Sequence, residues 1–470
     1  MIAKVSYLTF AHVLSGVFVL ASTTMLANKL GPRLYGEFSF MDSVLFVAVL
    51  VGSLGTEYIG NREVARREHG GEFVDGIIIL RTIASLAIYL VLIAWTTFFI
   101  RSASLKALMY VCASIMLTVP GINGWYFLAR QEIGIVAGAT VLRDLLFFLF
   151  VSVFLNGVAE QENKLFYAGV FYSLSRFAFS AVLLLRMLGV HDFRLRISAA
   201  TCRLIMKDSF ALLYASLVAA IMINIQIYIL KYYDEVYSLG IYGAFFKPIF
   251  YIQMLSLSFV IVFFPLLAKA WDEDRERYGL LARSLSEMTI FIIVPVAVTG
   301  LMNADYLIGR FFSPEFGNGT LTLQILCLAL VPMGFGRVLT TAFLVTANKT
   351  HRMYALVNIS FIFSLVSGVL FVKNFAQTDL GAALSKLLTE VVFMAIAYYM
   401  LPRRLKILDY RMLYCIVPAI TGMVLVDLTF SSKGHPAGII AGLLSFALIY
   451  AYVFYKWRYE SVKEIISRRI

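Results

Sequence analysis

The chain has 470 residues, of which 61% are hydrophobic, 15% aromatic and only 14% charged. Soluble globular proteins average about 25% charged residues, so this composition excludes an ordinary soluble domain and indicates a membrane protein. The formal net charge is +12, but the basic residues fall in short loops, whereas nucleic-acid binding needs a continuous basic face on a folded domain. We therefore expect no nucleic-acid partner.

Fourteen apolar stretches follow one another along the chain, and each is close to 20 residues or longer. A hydrocarbon core of about 30 Å needs roughly 20 helical residues to cross. These stretches are too long and continuous for the strands of a membrane barrel. The sequence therefore predicts an all-α polytopic membrane protein embedded in the lipid bilayer. The predicted spans are 7–28, 34–59, 76–99, 105–129, 134–156, 164–187, 208–231, 238–266, 283–303, 320–346, 353–373, 379–401, 411–429 and 436–457.

The N-terminal stretch is predicted to be a membrane span and not a signal peptide. Lys4 is the one charged residue before the first span, and no small-residue cleavage pattern follows that span, so we interpret the span as a retained helix. Cys112, Cys327 and Cys415 fall in predicted helices and Cys202 in a basic loop. This scatter predicts four free thiols rather than a disulfide framework.

Basic residues are concentrated on one side of the predicted membrane. Of the 40 Lys and Arg residues, 25 lie at the termini or in the loops on the same side, against nine on the opposite side. Cytoplasmic loops carry the excess of Lys and Arg in membrane proteins. The pattern predicts a multi-pass protein of the cell membrane with both termini in the cytoplasm.

A repeated motif indicates two related halves. Residues 34–38 read LYGEF and residues 241–245 read IYGAF, and each copy opens the second helix of its half. The copies are six helices apart and share one polarity, as in transporters built from parallel repeats whose halves rock in alternating access. The predicted organisation is an N-terminal six-helix lobe at 1–188, a basic cytoplasmic linker at 189–207, a second six-helix lobe at 208–401, and two extra helices with a cytoplasmic tail at 402–470.

Six basic residues fall inside predicted spans, where a cation costs roughly 2.5–3.5 kcal/mol on insertion scales and therefore needs water or partners. They are Arg81, Arg143, Arg176, Lys247, Arg337 and Lys386. Acidic residues at similar depth, including Asp42, are fewer. The interior is therefore predicted to be basic, and phosphate is the anion that such groups bind through short charge-assisted hydrogen bonds.

Three of these cations lie in the first predicted lobe. Arg81 is near a cytoplasmic helix end, so it fits either a cavity or snorkelling to the surface. Arg143 is too deep to snorkel, and we do not expect Asp144 to neutralise it, since adjacent residues point about 100° apart on a helix. Arg176 fits a substrate site or a buried ion pair equally well.

Two cations of the second half lie in predicted helical segments that contain Pro or Gly. Lys247 precedes Pro248, so a backbone hydrogen bond is missing next to the charge. Arg337 follows Pro332 and two glycines in a similar segment. Both are predicted to contact the substrate.

The remaining polar groups have structural alternatives. Lys386 and Glu390 are spaced i,i+4 and are expected to neutralise each other. Gln226 lines the cleft or bonds one helix to another. The predicted substrate site comprises Arg81, Arg143, Lys247 and Arg337, with Arg176, Gln226, Lys386 and Glu390 as further candidates.

The sequence carries no catalytic or metal-binding pattern. Acidic residues and His do not cluster in an outer loop, and neither a Cys/His metal spacing nor a P-loop occurs. We therefore predict a protein that is not an enzyme and has no metal or cofactor. Its energy would come from metabolism or from a coupling ion, H⁺ or Na⁺.

Two blocks near the N-terminus resemble a known family. LGPRLYGEFSF at 30–40 and REVAR at 62–66 are similar to the opening of the Wzx-type polysaccharide-unit flippases. Weaker similarities follow at 240–245, 312–316 and 381–390. The resemblance implies the multidrug, oligosaccharidyl-lipid and polysaccharide exporter superfamily, with two six-helix lobes around a cationic central cavity.

The resemblance also implies a substrate and partners. It implies a polyprenyl-phosphate- or pyrophosphate-linked oligosaccharide, moved from the cytoplasmic to the outer leaflet for surface polysaccharide assembly, with glycan polymerase or assembly proteins as partners. The chain departs from relatives at Gln226, where they often have an acidic residue, and at Lys386, where they usually have a small or apolar one. An ion-coupling scheme is therefore not carried over.

Two other functions compete with this interpretation. A cation-coupled drug or metabolite antiporter uses the same scaffold but needs an anionic cavity. A polytopic glycan polymerase or ligase needs catalytic residues on large outer loops, and the longest predicted outer loop is only 303–319. The basic interior favours the flippase.

Overall fold

The structure is a computed structural model that describes residues 2–66, 71–194, 198–340, 350–401, 411–431 and 436–467. Within these ranges the regular structure is helical and contains no strand, which confirms the all-α class. Short 3₁₀ helices cover Ser114–Gly121, Leu155–Gly157 and Pro314–Gly319. The α-helices are α1 (Ile2–Gly52), α2 (Thr56–Arg66), α3 (Gly71–Phe99), α4 (Ala103–Ala113), α5 (Gly124–Ala129), α6 (Ile133–Val153), α7 (Gln161–Leu188), α8 (Ala199–Tyr232), α9 (Val236–Glu273), α10 (Arg275–Met302), α11 (Ala304–Phe311), α12 (Thr320–Arg337), α13 (Thr350–Asn374), α14 (Thr378–Tyr399), α15 (Arg411–Ser431) and α16 (Pro436–Ser467).

Ten helical stretches among the described residues are long and apolar enough to cross a membrane, and two shorter apolar helices cover 416–429 and 438–453. The chain is therefore a multi-pass membrane protein, as predicted. The count of fourteen spans stays a prediction, as does the cytoplasmic placement of the termini.

The first predicted span and residues 34–52 of the second lie on one helix, α1, that breaks between them, whereas the predicted end of the second span at 59 falls in α2. Gly31 has φ 69° and ψ 169°, outside the helical region. Glycine adopts this positive φ without the clash that a Cβ would make, and Pro32 next to it cannot donate a backbone hydrogen bond. These two residues therefore separate the two spans.

The predicted span at 105–129 is not one continuous helix. α4 ends at Ala113, a 3₁₀ segment containing Pro120 follows, and the helix resumes only at Gly124. The Asn123 side chain donates to the Pro120 carbonyl at 2.9 Å. Pro120 lacks the N–H that would bond to a carbonyl one turn earlier, and its own carbonyl is satisfied by the Asn123 side chain where the helix is interrupted.

The predicted basic linker ends inside a helix. α8 begins at Ala199 and is capped by Ser198, whose hydroxyl accepts from the Thr201 backbone N–H at 3.0 Å. Ile205 is fully buried and packs in one apolar cluster with Ile77 of α3. The prediction that Cys202 lies in a loop is therefore wrong: it lies in the second turn of α8. The loop was predicted from the basic residues of this segment, whereas Ser198, a favourable N-cap residue, indicates the start of a helix.

The chain forms two compact units, residues 1–248 with 357–385 and residues 249–356 with 386–470. Within the first unit, Phe73, Trp125, Phe127 and Ile205 belong to one buried apolar cluster. The lobe boundaries predicted from the repeat, at 188, 207 and 401, stay a prediction.

The two copies of the repeated motif lie against each other within the first unit. A Cβ on Gly36 would collide with the Val236 carbonyl oxygen and lie 3.1 Å from the Gly240 nitrogen. A Cβ on Gly243 would lie 2.6 Å from the Ser39 hydroxyl oxygen. The motif glycines thus allow α1 and the start of α9 to approach closely.

The second unit has its own apolar core. Ile290 of α10, Phe335 of α12, Met423 of α15 and Phe446 of α16 are buried together. The extra helices α15 and α16 therefore pack onto α10 and α12 through large apolar side chains, which accounts for their inclusion in this unit.

Candidate substrate site

A carboxylate in the first unit, Asp42 of α1, joins charged and aromatic side chains from α7 and α9. Its Oδ2 lies 2.8 Å from the Lys247 ammonium nitrogen. The Tyr172 hydroxyl donates a hydrogen bond to Asp42 Oδ1. The Lys247 and Asp42 side chains are 22% and 27% exposed. Because lipid hydrocarbon would penalise exposed charges, this pair is expected to face a polar space.

Aromatic rings from three helices lie beside this ion pair. Phe38, Phe147 and Tyr172 have ring centroids 5.4 to 6.3 Å apart. The Lys247 ammonium lies 5.6 Å from the Phe38 centroid, and the Arg176 guanidinium carbon lies 3.1 Å from that of Tyr172. Cation–π contacts of this kind contribute roughly 0.5–2 kcal/mol each. They hold the cations next to the rings.

Helical spacing explains why these side chains converge. Phe38 and Asp42 are four residues apart on α1, and Tyr172 and Arg176 are four apart on α7, so each pair lies on one face of its helix. The Arg176 guanidinium also donates to the Tyr172 carbonyl at 3.4 Å. Arg176 thus supplies a second cation beside Asp42.

Arg143 of α6 is held by its neighbour in sequence. Its Nε lies 2.7 Å from Asp144 Oδ1 and its Nη2 lies 2.9 Å from Asp144 Oδ2. The Ser15 hydroxyl of α1 donates to the same carboxylate, and the guanidinium lies 5.4 Å from the Phe179 ring centroid. The prediction that Asp144 does not neutralise Arg143 is therefore wrong. Although adjacent residues point about 100° apart on a helix, the Arg143 side chain is long enough for its guanidinium to reach the Asp144 carboxylate.

Arg81 of α3 is enclosed by protein groups. Its Nε donates to the Thr56 hydroxyl at 2.8 Å and its Nη1 to the Ile122 carbonyl at 2.9 Å, and Glu57 lies 4.0 Å from Nη2. The guanidinium is 5.7 Å from the Trp125 ring centroid, and the side chain is fully buried. Snorkelling to the surface is thereby contradicted. Arg81 ties the α1–α2 turn to the break before α5, and its contact with substrate stays a prediction.

Gln226 of α8 bonds to two other helices of the first unit. Its amide nitrogen lies 3.3 Å from the Ser364 hydroxyl of α13 and 3.4 Å from the Ser385 hydroxyl of α14. All three residues are fully buried. This geometry matches the helix-linking alternative for Gln226.

The second unit contains the other predicted residues. Lys386 and Glu390 of α14 form the expected ion pair, with 2.8 Å between the ammonium nitrogen and the carboxylate oxygen, and their side chains are 0% and 7% exposed. Arg337, the last residue of α12, is half-buried. Its substrate role stays a prediction.

The residues that sequence reasoning did not assign to the site are Asp42, Tyr172, Phe38 and Phe147. Asp42 and Lys247 are 205 positions apart, so no local pattern relates them. A signal for Phe38 and Asp42 was available, because Phe38 belongs to the repeated motif and Asp42 lies one turn beyond it. Across the described ranges, no group of three or more His, Cys, Asp or Glu side chains could hold a metal.

The sequence of the chain matches a known protein family. The model of the family described as polysaccharide biosynthesis protein matches residues 1–271. The chain belongs to the polysaccharide biosynthesis protein family. This confirms the family suggested by the blocks at 30–40 and 62–66, both of which lie inside the matched region. No curated protein sequence matches the chain.

Solved structures show the fold of this polysaccharide biosynthesis family member. The lipid II flippase MurJ in an inward closed conformation aligns with a TM-score of 0.72 at 11% identity, over 97% of this chain and 99% of that one. An inward-facing multidrug resistance MATE transporter of the MOP superfamily aligns at 0.64 and 14% identity, over 82% and 94%. A MOP superfamily transporter from Pyrococcus furiosus, described as having a binding pocket of reverse polarity, aligns at 0.58 and 15% identity, over 84% and 94%. The chain thus has the fold that MurJ and MATE transporters share.

Proposed function

We propose that this family member is a flippase that moves polyprenyl-phosphate- or pyrophosphate-linked oligosaccharides from the cytoplasmic to the outer leaflet for surface polysaccharide assembly. The observation that carries the proposal is a basic cluster in the first unit, in which Arg176 and Lys247 lie around Asp42; Arg143 of the neighbouring helix α6 is a third cation, with its own counter-charge, Asp144. Each of the three cations lies beside an aromatic ring.

The charge balance of this cluster suits an anionic head group. Arg176 and Lys247 face one carboxylate, Asp42, which leaves one surplus positive charge in the cluster, whereas Arg143 and Asp144 balance each other. A bound phosphate or pyrophosphate would add the negative charge that the cluster lacks. Guanidinium groups bind phosphate oxygens through two parallel hydrogen bonds, and an ammonium binds them as a point charge.

The same surroundings suit the rest of the substrate. Phe147 and Phe179, which are partly exposed, offer apolar faces to sugars, while the polyprenyl tail remains in lipid. In this proposal the predicted lobes at 1–188 and 208–401 alternate in access around a cationic central cavity, with both termini cytoplasmic. Arg337 and Arg81 remain candidate contacts, H⁺ or Na⁺ remains the candidate coupling ion, and glycan polymerase or assembly proteins remain candidate partners.

A cation-coupled drug or metabolite antiporter is the second candidate. Its cationic substrates would need unneutralised carboxylates, whereas Asp42 and Asp144 each bind a basic side chain. A glycan polymerase or ligase would need a reactive constellation exposed outside the membrane. The paired carboxylates therefore favour the flippase over the antiporter.

Transport by purified protein tests the proposal. The protein is reconstituted in vesicles with a fluorescent polyprenyl-pyrophosphate oligosaccharide, and its movement between leaflets is followed by quenching from outside. Lys247→Ala and Arg143→Gln are expected to slow movement by at least about tenfold, the effect of losing about 1.4 kcal/mol of binding. Arg310→Ala, which removes an exposed cation on α11, serves as the matched control. Unchanged transport in both site variants would overturn the proposed site, and transport of cationic drugs alone would favour the antiporter.

A further inference from the structure

The pairing of Arg143 with Asp144 has the geometry of a guanidinium bound to an oxyanion. Two guanidinium nitrogens, Nε and Nη2, lie 2.7 and 2.9 Å from the two oxygens of one carboxylate. A phosphate presents two oxygens to an Arg side chain in the same forked arrangement. The carboxylate of Asp144 and a substrate phosphate would therefore use the same two donors.

We infer that Asp144 is an internal counterion that occupies the phosphate-binding fork of Arg143 when no substrate is bound and gives it up to the substrate phosphate. The inference rests on the proposed function and adds a residue that sets the affinity for the head group. Asp144 is in this sense a positioning residue, because it acts through Arg143 and does not touch the substrate.

Burial indicates which member of the pair moves. The Asp144 side chain is 8% exposed, whereas that of Arg143 is 23% exposed. The flexible Arg side chain can turn toward a ligand while the short carboxylate stays. Asp144 then keeps the hydrogen bond from the Ser15 hydroxyl, so it is not left without a donor. The exchange requires a rotamer change in one side chain and no movement of α6.

The exchange accounts for two opposite needs of a transporter. An empty site must not leave a guanidinium unneutralised inside the membrane, since that charge is costly there. A loaded site must also release its substrate. A competing carboxylate meets both needs, because it neutralises Arg143 in the empty protein and lowers the affinity for phosphate in the loaded one.

Binding of a phosphorylated isoprenoid tests this role. Full-length wild type and Asp144→Asn are purified in detergent, and the dissociation constant for farnesyl diphosphate is measured by calorimetry, with farnesol as the phosphate-free control. Asp144→Asn is expected to bind farnesyl diphosphate about three- to tenfold more tightly and farnesol equally. In vesicles the same variant is expected to move the fluorescent oligosaccharide lipid more slowly, because release becomes limiting. Equal or weaker binding by a folded Asp144→Asn variant would overturn the inference.

Two further variants show whether Asp144 acts through Arg143 and cover the case in which Asp144→Asn does not fold. Arg143→Gln removes the fork and should bind farnesyl diphosphate more weakly than wild type. Adding Asp144→Asn to Arg143→Gln should change the affinity much less than Asp144→Asn does in wild type, because the carboxylate acts through Arg143. An Arg143→Gln variant that binds as tightly as wild type, or a gain in the Gln background as large as in wild type, would contradict the role assigned to Asp144.

The two levels of the proposal fail in different ways. A wild-type protein that binds farnesyl diphosphate and moves the oligosaccharide lipid, but gains no affinity from Asp144→Asn, retains its proposed function and loses only the counterion. A wild-type protein that neither binds the diphosphate nor moves the lipid loses the proposed function, and the counterion with it.

Discussion

Substitutions in the buried ion pair of α14, Lys386 and Glu390, are expected to change the free energy of unfolding by a measurable amount. Lys386 and Glu390 lie 2.8 Å apart with 0% and 7% of their side chains exposed. At an effective dielectric constant of about 20, two unit charges at this separation attract by about 6 kcal/mol. The cost of removing both charges from water offsets much of this attraction, so the pair as a whole adds little net stability.

Removing one member of the pair is expected to lower the free energy of unfolding much more than replacing both members by apolar residues. Lys386→Met leaves the Glu390 carboxylate buried without its counter-charge, and we expect the free energy of unfolding to fall by about 3–5 kcal/mol. The double variant Lys386→Met with Glu390→Leu removes both charges and keeps a similar volume. It should lie within about 1–2 kcal/mol of wild type.

Unfolding in mixed micelles with increasing SDS measures these differences. Wild type, both single variants and the double variant form a double-mutant cycle, from which the interaction energy of the pair is obtained. Lys373→Met, which removes an exposed Lys from the last turn of α13, controls for the loss of a charge. The reasoning is refuted if Lys386→Met lies within about 1 kcal/mol of wild type, or if the double variant is less stable than the single one.

Three other predictions concern the first unit. Gly243→Val should reduce the yield of folded protein on size exclusion, because its side chain would overlap Ser39; partial recovery with Ser39→Gly checks the cause. Arg81→Met should lower the free energy of unfolding by about 2–4 kcal/mol in SDS titration, since the Ile122 carbonyl loses its charged donor; an unchanged midpoint would contradict this. Tyr172→Phe should lower the free energy of unfolding by about 1.5–3 kcal/mol in the same assay, because the Asp42 carboxylate loses a hydroxyl donor; the loss should fall to about 0.5–1.5 kcal/mol when Asp42 is already Asn, whose oxygen accepts only a neutral hydrogen bond.

Features that depend on the local spacing of residues, such as membrane-crossing helices and ion pairs within one helix, are predictable from the sequence. Apolar stretches of membrane-crossing length marked the helices, because the bilayer imposes length and composition on each span separately. The i,i+4 spacing of Lys386 and Glu390 likewise predicted an ion pair within one helix. In the fourth span the same hydropathy hid a break, since Pro120 and Gly121 are themselves compatible with an apolar stretch.

The arrangement of the candidate site depends on contacts that local spacing does not encode. Asp42 meets Lys247 only because α1 and the start of α9 approach through glycines. The pairing of Arg143 with Asp144 depends on a side-chain rotamer, and helical angles alone pointed to the opposite result. The sequence analysis therefore named the cations Arg143, Arg176 and Lys247 but did not predict the pairing of Arg143 with Asp144 or of Lys247 with Asp42.

The continuity of α8 has a mechanical consequence. The helix runs without interruption from Ala199 to Tyr232, a length of about 50 Å at 1.5 Å per residue. Its N-cap residue is anchored to α3, where Glu72 accepts from the Ser198 backbone N–H at 3.1 Å, and Gln226 lies about 40 Å further along the same helix. A twist applied at the Ala199 end of α8 is therefore transmitted along the rigid helix to the amide and hydroxyl contacts of Gln226.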